Sequence, residues 1–180
     1  MKYLATGAHQ KSNLMKLSIL GALTFLFGLW VSSFGMFFSR FTLDPETVVT
    51  YYRGSEETFQ APRTFGSMVE VTHGHMAMMA VTLLFLTHLV IFLPFSARLK
   101  VIGIAGTFVS AFLNEASGWL VRFVHPGFAP LKLVSFFASQ SFQFALLVCL
   151  VIGLSQKERR KAEDPSTEPI RDTHFGTAGP

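Results

Sequence analysis

The chain has 180 residues, half of them hydrophobic and only 14% charged, with 20 phenylalanines. A water-soluble domain of this size needs more polar surface, so the composition excludes one and indicates a membrane protein. The net charge of +4 suits the lipid surface, where anionic headgroups attract clustered Lys and Arg by about 1 kcal/mol each, and no nucleic acid is needed to account for it.

A bilayer core about 30 Å thick takes about 20 apolar residues as helix. Four windows qualify, about 17–38, 71–93, 101–121 and 133–154. The first follows Lys2, Lys11 and Lys16 as a secretory signal would, but its apolar run is longer and lacks a small-residue cleavage site. It is therefore read as a retained span behind a short cytoplasmic segment, 1–16.

The stretch 39–66 is the one long outer loop. Within it "TLDPETVVTYYRG" predicts a short helix over 45–53, with Asp44 as N-cap, Pro45 at the first helical position and Gly54 as the stop. Tyr51 and Tyr52 suit an interfacial position for that helix. "PFSARLK" joins spans two and three as a tight hairpin, and "RFVHPGFAPLK" is a short apolar outer connection that holds His125 at the membrane surface. From 155 to 180 the chain is charged and Pro-rich, which predicts a disordered cytoplasmic tail.

The basic residues Lys2, Lys11, Lys16, Arg98, Lys100, Lys157, Arg159, Arg160 and Lys161 all fall on one side of these spans. The positive-inside rule then places both termini in the cytoplasm. The expected fold is an all-α, four-transmembrane-helix up-down bundle, multi-pass in a bacterial inner membrane. A single cysteine, Cys149, excludes an internal disulfide, a Cys-x-x-Cys pair and a covalent c-type haem site.

Ionisable groups inside spans cost about 2.5 to 3.5 kcal/mol each and are functional candidates by default. Ionisable and other polar side chains gather toward the outer third here: His75 on span two, with His73 at its boundary and Glu70 in the headgroup zone, Asn114 and Glu115 on span three, Ser139, Gln140 and Gln143 on span four. Such groups must meet one another, water or a ligand, and a polar pocket open to the outer face is the simplest arrangement. Residues turn by about 100° each along a helix, so His73 and His75 point about 200° apart. One can face the bundle axis while the other meets a neighbouring helix or a partner subunit.

Four readings fit these residue types. Haem b takes axial imidazoles from different helices. His73 and His88 lie nearly on one face about 22 Å apart, His75 and His125 could supply outer ligands, and Arg122 with Arg40, Arg63 and Lys132 could neutralise propionates. A quinol pocket needs two proton acceptors beside an apolar slot: His75 and Glu115 could serve, with Asn114 and Gln140 as hydrogen-bond partners. A metal site could use Glu70 and His73, which form Glu-x-x-His, with Glu115 as a second carboxylate, although di-iron bundles use two such motifs. Alternatively, the same groups are structural glue between helices.

The segment "YYRGSEETFQAPRTFGSMVEVTHGHM" resembles small four-span bacterial membrane proteins found with multihaem c-type cytochromes. The resemblance implies a respiratory or other electron-transfer complex with larger redox subunits as partners, a multihaem c-type cytochrome among them. The combined expectation is an integral membrane subunit with an outer-side b-haem or quinol site around His73, His75 and Glu115. The competing class is a non-redox assembly subunit.

Overall fold

A computed structural model describes residues 13–163, with side chains described from Leu17 to Gly153 and at Ser155. Four long helices are each long and apolar enough to cross a membrane: Leu17–Phe38, Phe65–Ile91, Ala97–Val124 and Pro126–Gly153. Of the expected terminal segments 1–16 and 155–180, residues 1–12 and 164–180 lie outside the described residues.

Helix α1 runs Asn13–Phe38. The short helix α2, Pro45–Arg53, is set by local signals: the Asp44 side chain accepts from Glu46 N–H, Pro45 begins the helix, and the Gly54 N–H returns to Thr50 C=O. Gly54 has φ +81°, and a Cβ there would collide with the Gln60 carbonyl and lie 2.8 Å from Pro62 N, so glycine is required. A tight reversal follows, in which Ser55 and Gln60 exchange backbone hydrogen bonds at 3.0 Å.

Helix α3, Phe65–Ile91, begins six residues before the apolar window at 71, because the Thr64 hydroxyl caps it by accepting from Ser67 N–H. Helix α4, Ala97–Trp119, is capped by Ser96, and Lys100 reaches back to donate to Ile91 C=O at 2.7 Å. That contact satisfies a carbonyl at the α3 C-terminus and places a cation there.

The largest departure from the expected layout lies beyond α4. "RFVHPGFAPLK" is not an open connection: α4 continues as a π turn over Leu120–Val124, a 3₁₀ turn takes Pro126–Phe128, and helix α5 starts at Ala129 and runs to Glu163. The tail expected from 155 is therefore helical as far as Glu163, since the Lys, Glu, Arg and Ala residues there are good helix formers.

The long helices alternate in direction. Gly103 faces Leu146 and Gly106 faces Phe142, so α4 and α5 run antiparallel at close range. Trp30 donates to Gln140 C=O and Phe37 stacks on Phe136 at 3.9 Å, so α1 runs antiparallel to α5. Two apolar clusters close the ends of the bundle. One, at the α3–α4 hairpin end, contains Ile19, Leu23, Leu86, Val90, Leu93, Leu146, Leu147 and Leu150. The other, at the α2 end, contains Phe37, Phe41, Val48, Tyr52, Met68, Val121, Ala129 and Phe136. The α4–α5 seam carries buried polar side chains, among them Thr107, Ser110, Ser117, Lys132, Ser135 and Ser139.

Candidate functional site

Thr72 and His75 are three residues apart on α3, and Glu115 and Trp119 are four apart on α4. Each pair therefore shares a helix face. Where these faces meet, the four side chains form one hydrogen-bonded chain. Trp119 Nε1 donates to Thr72 Oγ1 at 2.9 Å, Thr72 Oγ1 donates to Glu115 Oε1 at 2.5 Å, and His75 Nδ1 lies 3.2 Å from Glu115 Oε2.

An ionised carboxylate only accepts, so with Glu115 ionised the bond places a proton on His75 Nδ1. Exposure sets the direction of access: the His75 side chain is 49% exposed and that of Glu115 only 15%. The carboxylate is the protected inner member and the imidazole is the outer one. In a bundle surrounded by lipid, the pair opens sideways from the α3–α4 seam.

Sequence reasoning missed three groups that hold this arrangement. Thr72 and Trp119 read as ordinary span residues, because only their juxtaposition across two helices reveals their role. Lys132 was expected in the outer connection beside haem propionates. Instead it is buried on α5, where its ammonium donates to Asn114 C=O at 2.7 Å and lies within electrostatic range of Glu115. The early start of α5 accounts for the change, since it carries position 132 into the bundle.

Tyr52 of α2 closes the α2 end of the site. Its ring lies against Gly118, where a Cβ would come within 2.8 Å of Cζ. Burial, then the neighbouring Tyr51 and Glu115, pushes the phenol well above its ordinary value. Tyr52 is consequently a neutral hydroxyl across the physiological range.

The remaining expected residues do not join this group. Glu70 and His73 project from the exposed side of α3, away from Glu115, so Glu70, His73 and Glu115 do not gather into a metal site. Among the described residues no three His, Cys, Asp or Glu side chains are grouped to hold a metal ion. His88 lies on an exposed part of α3, edge-on to Phe92 at 5.3 Å. His125 spends its Nδ1 on the Gly127 N–H at 3.0 Å, capping the 3₁₀ turn.

Arg122 Nε donates to Arg63 C=O at 2.7 Å and its guanidinium lies over Phe123. This ties the π turn to the segment leading into α3. The backbone carbonyl of Asn114 accepts from Lys132 of α5, and that of Gln140 accepts from Trp30 of α1. Asn114 Oδ1 and Gln140 Oε1 are both buried without a protein hydrogen-bond partner, which suits each to accept from water or a ligand donor.

A family model for a transmembrane helical domain matches residues 42–161, taking in α2, α3, α4 and nearly all of α5. No curated protein and no solved structure matches the chain.

Proposed function

The chain belongs to this family of transmembrane helical domains, and on that premise we propose that it is an integral membrane subunit of an electron-transfer complex, binding a quinol at the His75–Glu115 pair. One observation carries the reading: a shielded carboxylate holds a half-exposed imidazole at 3.2 Å, with Thr72 donating to the carboxylate and Trp119 donating in turn to Thr72. An ionisable pair inside a span is costly and therefore a functional candidate by default, and the outer member of this one is the half-exposed imidazole.

Quinol oxidation removes two electrons and two protons. A quinol hydroxyl donates to His75 Nε2, and as an electron leaves for a redox centre of a partner subunit, the phenolic proton transfers to that nitrogen. Glu115 stabilises the resulting imidazolium through the Nδ1 proton; once Nε2 has passed its proton to water, the imidazole, still protonated on Nδ1, is ready to take the second quinol proton as the second electron leaves for the partner centre. Thr72 acts as a positioning residue by donating to Glu115 Oε1, and Trp119 acts through it by holding the Thr72 hydroxyl. A multihaem c-type cytochrome is an electron acceptor of suitable class.

A haem b, were one bound here, would be held by the same imidazole, with its Nδ1 oriented by Glu115. That half of the geometry fits. A second ligand does not, because His73, His88 and His125 are all directed elsewhere.

The test uses the complex purified from its own membranes. Glu115→Gln and His75→Ala should each lower quinol-dependent reduction of the partner cytochrome by about 10²-fold or more, while the complex still assembles. Full turnover in both variants would refute the proposal and leave the polar groups structural. A reduced-minus-oxidised haem b band lost only in His75→Ala would replace quinol with haem.

A further inference from the structure

The two faces of α3 differ sharply. Met68, Leu83, Leu86 and Val90 are buried and share the bundle side with Thr72 and His75. Opposite them, Gly66, Glu70, His73, Ala77, Val81, Leu84 and His88 recur at three- and four-residue steps, and all are exposed. This stripe is one continuous outward face.

Its polar members are misplaced for a lipid-facing surface. The helix has 27 residues, about 40 Å long, against a hydrocarbon core of about 30 Å. Glu70 then lies near the boundary and His73 about 7 Å inside it. Neither side chain has a hydrogen-bond or ion-pair partner among the described residues, and they do not pair with each other. Charged or polar side chains at such depth almost always face protein.

We infer that this face is a homodimer interface, in which Glu70 of each copy pairs with His73 of the other. The charge pattern favours a second copy as the occupant. Across a two-fold axis along the membrane normal, residue i of one copy meets residue j of the other, and j meets i. Glu70 and His73 are one turn apart and of complementary type, so a single two-fold contact satisfies all four side chains. Ala77, and Ala80 beside it, supply the small side chains that let two transmembrane helices approach closely. No surface is left open to propagate the assembly. The inference is independent of the quinol proposal, since His73 and His75 lie on different faces.

Cross-linking of the full chain in native membranes tests this. With Cys149→Ser as background, Ala77→Cys and Ala80→Cys should each give, on oxidation, a species of twice the 20.0 kDa chain mass. Phe25→Cys, on the outward side of α1 at 84% exposure, should remain monomeric. Glu70→Gln with His73→Gln should reduce the α3 cross-link several-fold, and the exchange Glu70→His with His73→Glu should restore it. A monomer from both alanine positions, a cross-link only to a different polypeptide, or equal cross-linking from Phe25→Cys would each overturn the inference.

Discussion

Replacing Thr72 by valine removes one hydroxyl while preserving the branched shape, and so isolates the connection between α3 and α4. That hydroxyl makes two bonds, accepting from Trp119 Nε1 and donating to Glu115. Hydrogen bonds between transmembrane helices average about 0.6 kcal/mol and reach about 1.7. Assigning the average to the indole bond and up to the maximum to the carboxylate bond gives a loss of about 1 to 2.5 kcal/mol. Thr24→Val is the matched control, because its hydroxyl bonds only to Leu20 C=O in its own helix, and it should cost close to nothing. Equilibrium unfolding in mixed micelles, followed by tryptophan fluorescence, measures both. Thr72→Ser should recover most of the loss. A Thr72→Val protein as stable as Thr24→Val would show that the Trp119–Thr72–Glu115 connection does not hold the two helices.

Further outcomes follow from the α2 end. Gly54→Ala should destabilise by about 1 to 3 kcal/mol in the same assay, since φ +81° disfavours any side chain and the obstructing atoms are backbone. Gly118→Ala should cost about 1 to 3 kcal/mol by displacing the buried Tyr52 ring, and Tyr52→Phe should not relieve it because Cζ remains. Because the Tyr52 phenol is raised in the folded state, the unfolded chain releases its proton first. Stability should then be unaffected by this group below about pH 10 and fall as pH rises beyond it, a fall that Tyr52→Phe should lessen.

The candidate site shows what one-dimensional reading can and cannot reach. Helical phase alone separates His73 from His75 by about 200°, and the structure indeed sends them to opposite faces of α3. Phase cannot say which of the two faces inward, because that depends on how α3 is rotated against α4. It likewise cannot show that Thr72 and Trp119, 47 residues apart, share a hydrogen bond.

The sequence by itself determined the membrane class, the four apolar helices and the ends of α2. These follow from apolar run length and from the capping chemistry of Asp44, Pro45 and Gly54, which act over a few residues. Only tertiary structure decided that Lys132 is buried, that the chain after α4 turns through π and 3₁₀ geometry, and that Glu115 meets His75. Helix rotation and register in a bundle are fixed by the fit of side chains such as Gly106 against Phe142 and Gly118 against Tyr52. That fit sums many weak contacts between residues distant in the chain.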